Sequence, residues 1–448
     1  MAMLASDVRE VFETILPDDA LMSLIERAGF QQRERKCEAL VLLRILVMAA
    51  SSGRGGRQAD VAQDYFATGT DAVTRSSFYR WFGPALETVM QGVRDRALKY
   101  ARSQTPDLPG VLGRHVSDWQ ILDSTTVKLP RALFKEYPGT GDYAALKIHK
   151  RFSVGIGTTV DYWLSPAREH DALHLKLDES WRGKGLLCDL GYASFGLLHG
   201  CEQYGMHYVI RLKDNWKPKV ISIARGTVTE TFAPGTDLHL LVAEEVLQLD
   251  GKVIDASVVL GNGRIRARLV GVPTDKGYCF FLTNLPSSVA PRSVADLYRV
   301  RWEIELDNKL DKSCCRLDEV TARTGPALRA LVHASMVASM IACLLAHHHR
   351  RRSAPAPARG AQRKKPPIHP QAVARTMAGG AAVIARIFEL SGKAATKQWE
   401  LFASLFNRAT DPNWRARPSI LDQMRGWRIS AGRRKRATTP RAAAASVP

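Results

Sequence analysis

Apolar residues recur three or four positions apart along the first hundred residues, which is the spacing of an amphipathic helix. Three segments carry this pattern most clearly, and they cover residues 7–15, 18–28 and 37–50. We therefore predict a helical N-terminal domain over residues 1–110.

Residues 59–65 and 74–82 predict two further short helices, joined by residues 67–72. The second carries Arg75, Tyr79 and Arg80, and such side chains are suited to a DNA groove in a helix-turn-helix. An ordinary helical bundle with a basic face fits the same pattern equally well. In the first interpretation, Arg75 and Arg80 bind DNA.

The pattern changes to strands after a stretch rich in Pro and Gly at residues 105–113. Short apolar segments, separated by one helix at residues 195–204, predict an α/β layer. The strands of this layer are expected at residues 118–127, 147–157, 158–164, 185–189 and 206–212. A second group of strands predicts an all-β insertion over residues 217–284, with strands at 220–223, 238–249, 252–260, 264–272 and 278–283.

Helical spacing returns after the insertion. Residues 294–312 contain no Gly or Pro and follow Ser293, a possible N-cap, so one helix is predicted there. A second helix is predicted at residues 328–347. Its apolar run is shorter than the ~20 residues that cross a bilayer, and His333 interrupts it. We expect a buried helix and no membrane span.

The chain of 448 residues has a formal charge of +20, and the excess is concentrated near its end. Residues 349–448 contain 21 Lys and Arg against four Asp and Glu. Basic clusters at 350–352, 363–365 and 433–436 attract phosphate backbones without reading base sequence. A solvated tail that only aids solubility is the alternative. We predict a basic, partly helical C-terminal region over residues 348–448, with a linker at 353–358 and helices near 371–390 and 396–407.

The remaining composition is that of an ordinary globular protein. The seven cysteines form no Cys-x-x-Cys pair, and the first 16 residues carry four charged side chains, so we expect a cytoplasmic protein without a signal peptide.

Three carboxylates stand out by their context. Asp123 and Asp189 each end a short apolar strand, where ligands of α/β sheets gather and where a carboxylate is costly unless it is paired. A turn aspartate that caps a strand or a helix is the alternative. Glu305 shares a helix with Tyr298 and Arg301.

On a regular helix Tyr298, Arg301, Glu305 and Lys312 lie within about 60° of one another. A solvated charged face is the alternative interpretation. Three carboxylates on separate elements suit a pair of Mg²⁺ ions, which promote phosphodiester chemistry when about 3.5–4 Å apart. The adjacent Arg and Lys suit phosphates.

The spacing Tyr298-x2-Arg301-x3-Glu305-x6-Lys312 resembles the YREK signature of insertion sequence 4 family DDE transposases. Asp123 and Asp189 resemble the first two acids of the DDE triad. The resemblance covers about residues 20–350. It implies a ribonuclease H-like core formed by residues 115–216 and 285–347, with the β insertion between the second Asp and the Glu.

The resemblance also implies a function. Asp123, Asp189 and Glu305 would bind two Mg²⁺ ions, with Mn²⁺ as a substitute. Tyr298, Arg301 and Lys312 would contact DNA. The enzyme would cut double-stranded DNA at the terminal inverted repeats and join the 3′-OH to target DNA, as a homodimer near the bacterial nucleoid.

A hairpin intermediate is also implied, but residues 217–301 contain no Trp of the kind that stabilises a flipped base in some members. Trp216 and Tyr278 are possible substitutes. Two alternative functions stay open: a structure-specific nuclease on the same core, and a non-catalytic DNA-binding regulator derived from such an enzyme.

Overall fold

The computed structural model describes most of the chain, namely residues 3–30, 37–50, 57–69, 73–261, 263–352, 367–410 and 419–426. The predicted helical character of the N-terminal region is confirmed. Its helices are α1 (Ala5–Ile15), α2 (Asp18–Arg27), α3 (Ala39–Ala50), α4 (Gln58–Phe66), α5 (Arg75–Arg80) and α6 (Pro84–Ser103).

The described residues from 115 to 284 contain the strands. These are β1 (Trp119–Leu129), β2 (Ala144–Ser153), β3 (Thr158–Pro166), β4 (Gly185–Cys188), β5 (His207–Arg211), β6 (Lys219–Arg225), β7 (Thr227–Val228), β8 (Thr236–Asp237), β9 (Leu247–Gln248), β10 (Ile254–Leu260), β11 (Ile265–Thr274) and β12 (Gly277–Thr283).

Ten of the strands in the described residues form one mixed sheet with the order β3-β2-β1-β4-β5-β12-β11-β10-β6-β8. Strands β1, β2 and β3 are antiparallel, whereas β4 pairs parallel to β1 and β5 parallel to β4. From β12 onwards the pairing is antiparallel. Most strands of residues 217–284 therefore extend the same sheet, whereas β7 and β9 pair with each other in a separate two-stranded sheet. The predicted mixed α/β class is confirmed.

Residues 238–249 do not form the single strand that we predicted. The segment starts with α8 (Leu238–Ala243) and continues to β9. Helix α7 (Phe195–Gln203) comes earlier in the chain, between β4 and β5. The Asp237 carboxylate accepts the backbone N–H of His239, which caps α8. Leu238 and Leu241 are buried three positions apart, so the spacing that decides the structure here is helical.

The predicted helix at residues 294–312 is divided. Helix α9 (Pro291–Arg299) continues into a 3₁₀ turn (Val300–Trp302) and then into α10 (Glu303–Ser313). Ser293 is not the N-cap, because the helix begins at Pro291, whose fixed φ suits a first helical position.

Helix α11 (Gly325–Arg352) is long and apolar enough to cross a membrane by length and composition alone. In the folded chain, 94% of its most apolar window is buried inside the protein. The side chain of His333 shares a hydrogen bond of 2.7 Å with the hydroxyl of Tyr162 on β3. As predicted, α11 is a buried helix.

The C-terminal region contributes α12 (Pro370–Gly379), α13 (Ala381–Arg386), α14 (Gly392–Asn407) and α15 (Ile420–Met424), which confirms the predicted helices. Trp399 of α14 packs on Phe12 of α1 with ring centroids 5.7 Å apart, so α1 and α14 share one apolar core with α11. The linker at 353–358 and the clusters at 363–365 and 433–436 lie outside the described residues.

Candidate active site

Asp123 and Asp189 lie on neighbouring strands at the point where parallel pairing ends. The last parallel pair of β1 and β4 is Leu122 with Cys188, and each aspartate is the next residue. Adjacent strands are about 4.8 Å apart, so these two positions are neighbours although 66 residues separate them.

One detail of our expectation for Asp123 is wrong. Strand β1 does not end at Asp123 but continues to Leu129, because residues 120–129 pair with β2 throughout, with Asp123 opposite Lys150. What ends at Asp123 is the pairing with β4, since β4 itself ends at Cys188. The side chain of Asp123 is therefore beside the gap that β4 leaves.

The pKa of Asp123 reflects its burial and the charged groups near it. Burial raises the pKa of the half-buried Asp123 carboxyl, and the negative charge of Asp189 raises it further. The backbone N–H of Ser124 and the cations Arg301 and Lys150 oppose this rise. Two carboxylates in mutual electrostatic range favour a bound cation.

Arg301 and Glu305 form an ion pair beside the aspartates. The Arg301 Nη2 donates to Glu305 Oε1 over 2.7 Å, and the guanidinium carbon lies 6.0 Å from the ring centroid of Tyr298. Burial alone would lower the pKa of Arg301, but the hydrogen bond to Glu305 and the charges of Glu305 and Asp189 raise it. Arg301 therefore stays charged between Glu305 and Asp189.

The other two signature residues are placed differently. Tyr298 is 8% exposed, and its ring packs on Phe281 with centroids 5.1 Å apart, so its burial raises its pKa to about 12. Lys312 is half-buried two turns beyond Glu305. Among the described contacts, no hydrogen bond or ion pair joins Lys312 to Tyr298, Arg301 or Glu305.

Asn308 is a site residue that the sequence pattern did not identify. Its amide Nδ2 donates to Asp123 Oδ2 over 3.1 Å. It lies three positions after Glu305, so it shares the face of α10 that carries Glu305. That spacing was the signal available in the sequence, but a neutral amide among charged residues does not by itself indicate a site.

The chemistry of this site fits a hard divalent cation, because its donors are carboxylate oxygens and an acidic pair is already neighbouring. In this structure Glu305 is paired with Arg301. In the described part of the chain, no three His, Cys, Asp or Glu side chains form a group that could hold a metal ion, so the three acids are not gathered at one point.

Arg75 and Arg80 lie on α5, away from these contacts. The Thr74 hydroxyl caps α5 by accepting the N–H of Ser77, and Phe78 is buried among aromatic rings. Both arginines are exposed, and the Nε of Arg75 donates to the Tyr79 hydroxyl over 2.7 Å. The structure therefore presents a basic helix face to solvent, as both open interpretations require.

The model of a family described as "Transposase DDE domain" matches residues 115–341, which is just over half of the chain and includes Asp123, Asp189 and Glu305. The chain belongs to this family of transposases. It is therefore an enzyme of the DDE class, whose chemistry is the cleavage and transfer of DNA strands and depends on divalent metal ions.

Individual proteins agree with this assignment. The chain is 24% identical over 353 residues to the transposase for insertion sequence element IS231D of Bacillus thuringiensis subsp. finitimus, covering 69% of this chain and 73% of that protein. It is 23% identical over 336 residues to the IS231B transposase of Bacillus thuringiensis subsp. berliner, covering 65% and 70%.

Among solved structures, a cryo-EM structure of the piggyBac transposase synaptic complex with hairpin DNA aligns with a TM-score of 0.48 and 11% identity, over 92% of this chain and 89% of that one. The predicted DDE class is confirmed by the family match. Placement in the insertion sequence 4 family and the YREK signature stay predictions.

Proposed function

We propose that this protein is the transposase of an insertion sequence, which cuts DNA at the ends of the element and joins the freed 3′-OH to target DNA by two-metal chemistry. The observation that carries this proposal is the juxtaposition of Asp123 and Asp189 after the last parallel pair of β1 and β4. Arg301 lies in electrostatic range of both.

The proposed metal ligands are Asp123, Asp189 and Glu305. Their hard oxygen donors suit Mg²⁺, and Mn²⁺ binds the same donor type. When bound, two such ions would supply an activated hydroxyl nucleophile and stabilise the leaving oxygen. Asn308 orients Asp123 by its hydrogen bond.

The proposed role of Arg301 follows from its pairing with Glu305. A guanidinium binds a phosphate through two parallel hydrogen bonds, so DNA competes with Glu305 for Arg301. A DNA phosphate that takes Arg301 leaves Glu305 without its partner and able to turn towards the aspartates. Lys312 contacts a further phosphate, while Tyr298 supports the helix from its buried position.

The proposed architecture keeps the predicted divisions. Strand order β3-β2-β1-β4-β5, with three antiparallel strands followed by two parallel ones, supports a ribonuclease H-like core over residues 115–216 and 285–347. Residues 217–284 are the insertion. Residues 1–110, with Arg75 and Arg80, and the basic region 348–448 would hold terminal inverted repeats and target DNA within a homodimeric synaptic complex in the bacterial cytoplasm.

The test uses a DNA end carrying the terminal repeat of the element, supplied intact and pre-cleaved, with a target plasmid and Mg²⁺. The wild type should cleave the intact end and join the pre-cleaved one. Asp189→Asn should keep end binding and lose both reactions at least about a thousandfold, because several kcal/mol of metal stabilisation are lost.

Asp275→Asn is the matched control, since Asp275 is exposed in the turn between β11 and β12. It should react like the wild type. Cleavage without joining would indicate a nuclease, and binding without either reaction would indicate a regulator. Full activity of Asp189→Asn would remove Asp189 from the site.

The role of the basic C-terminal region needs a gentler test than truncation after residue 350, because α12 to α14 belong to the apolar core. Replacing the four basic residues at 433–436 with Ala changes none of these core residues. If they contact phosphates, DNA-end affinity should depend less on salt. The slope of log affinity against log salt concentration should become shallower by about 0.9 for each phosphate contact that is lost. An unchanged salt dependence would show that this cluster does not bind DNA.

A further inference from the structure

Helix α10 has a second polar face, which is buried and faces the sheet. Lys150, in the middle of β2, has a fully buried side chain, and its Nζ donates to Asp307 Oδ2 over 2.9 Å. The same ammonium also donates to the carboxylate of Asp311, one turn further along α10. One buried cation therefore connects β2 to two successive turns of the helix.

Asp307 is held from other sides as well. Its Oδ2 also accepts the hydroxyl of Thr159 on β3 over 3.1 Å. The thiol of Cys343 on α11 lies 3.8 Å from its Oδ1. The buried face of α10 is thus joined by polar contacts to β2, β3 and α11.

This network is directly connected to the proposed catalytic residues. Lys150 is the residue opposite Asp123 in the pairing of β1 with β2. Asn308, which follows Asp307, donates to Asp123 from the other side of the helix. Asp307 is also only two positions from Glu305. The contacts that hold α10 on the sheet therefore surround the acid on β1 and adjoin the acid on α10.

Stability alone does not account for such a network. A buried ammonium and two buried carboxylates lose their hydration, and well-packed apolar residues of similar volume are often as stable or more so. Charged hydrogen bonds differ from apolar contacts in being directional. Lys150 can reach both Asp307 and Asp311 only when α10 has one rotation and one height above β2.

We propose that Lys150, Asp307, Asp311 and Asn308 are positioning residues, which fix α10 at a single register on β1 and β2 and so set the separation between Glu305 and Asp123. This inference rests on the proposed function, because it assigns a purpose to the spacing of two proposed metal ligands. Lys150, the centre of the network, acts through α10 and contacts no substrate.

The test measures Mn²⁺ binding to the full-length protein by electron paramagnetic resonance, well below the melting temperature of each variant. Lys150→Met should raise the Mn²⁺ dissociation constant at least about tenfold, as is typical when residues that orient metal ligands are lost. The matched control is Arg44→Met, because Arg44 is equally buried and pairs with Asp18 in the N-terminal helices. It should lose stability but keep its Mn²⁺ affinity within about twofold.

Equal Mn²⁺ affinities of folded Lys150→Met and Arg44→Met would overturn the inference. If Lys150→Met does not fold, Asn308→Ala decides, because Asn308 is only half-buried, with exposed Lys309→Ala as its control. A several-fold weaker Mn²⁺ affinity of Asn308→Ala alone would support the inference, and unchanged affinity would overturn it.

The same titrations separate this inference from the proposed function. Asp189→Asn should weaken Mn²⁺ binding if the proposed site exists. If the Mn²⁺ affinity of Asp189→Asn equals that of the wild type, the proposed site and this inference are both overturned. Binding that responds to Asp189→Asn but not to Lys150→Met or Asn308→Ala would leave the proposed function intact and refute only the positioning role.

Discussion

The two faces of α10 make similar ion pairs in opposite surroundings. On its open face, Glu305 pairs with Arg301 of the preceding 3₁₀ turn, and these side chains are 32% and 19% exposed. On its buried face, Asp307 and Asp311 pair with Lys150 of β2. All three side chains there are between 0% and 4% exposed. An ion pair open to water exchanges partners at little cost, whereas a buried one does not. One short helix thus combines a face suited to binding phosphate and metal with a face that holds it in place.

The largest loss of stability should come from removing the ion pairs on the buried face. Lys150→Met leaves two buried carboxylates without their cation, so the free energy of unfolding should fall by about 3–5 kcal/mol. Glu305→Gln, on the open face, should change it by less than about 1 kcal/mol. Urea denaturation followed by circular dichroism measures both. Similar values for the two variants would remove the contrast between the faces.

The next largest effect is a pH dependence of stability, and it comes from a buried neutral group, the imidazole of His333. Burial lowers the pKa of His333 to about 3, with Arg94 and Arg329 adding to the effect, against an ordinary value of 6.5. The unfolded chain therefore takes up a proton that the folded chain excludes. This contribution to stability is complete above pH 6.5 and is lost as the pH falls towards 3.

Between pH 7 and pH 5 the wild type should lose about 2 kcal/mol more stability than His333→Gln, which stays neutral and can still bond to Tyr162. Denaturation curves at the two pH values give the difference. Parallel losses in both proteins would show that His333 is protonated in the folded state.

A smaller effect should appear on the open face. Arg301→Gln removes a proposed phosphate contact, so affinity for the end of the element should fall about tenfold, as for the loss of one charged hydrogen bond. Arg299→Gln is the control, since Arg299 is exposed and pairs with Asp296. Fluorescence anisotropy with labelled DNA measures both. Equal losses would mean that only total charge matters.

The smallest effect should come from an ion pair with no buried member. The Arg299 and Asp296 side chains are 62% and 49% exposed, so Asp296→Ala should change the free energy of unfolding by less than about 1 kcal/mol. The urea titration used for Lys150→Met applies here too. A loss comparable to that of Lys150→Met would show that exposure does not govern the strength of these pairs.

Local sequence patterns indicated several residues of the candidate active site. Asp123 and Asp189 each follow an apolar run, and the rule that ligands gather at strand ends predicted their proximity. The helical spacing of Arg301 and Glu305 predicted that they share one face, and the structure joins them in an ion pair. The helical N-terminal region and the buried character of α11 also followed from spacing and length alone.

The ion pairs on the buried face of α10 could not be predicted from local sequence patterns. Lys150 and Asp307 are 157 residues apart, and a lysine in a strand is ordinarily a solvent-facing residue. Local chemistry also overrode two patterns, since the Asp237 cap turned a predicted strand into α8 and a 3₁₀ turn divided a predicted helix at residues 300–302. Contacts between distant segments decide the buried ion pairs of Lys150, and local periodicity does not report them.

The most direct test of the three-acid site is the joining of a pre-cleaved end by Asp189→Cys in Mg²⁺ and in Mn²⁺. A thiolate is a poor ligand for Mg²⁺ and a better one for Mn²⁺. If Asp189 binds metal, joining should be lost in Mg²⁺ and partly restored in Mn²⁺. Joining by Asp189→Cys in Mg²⁺ at the wild-type rate would contradict the account.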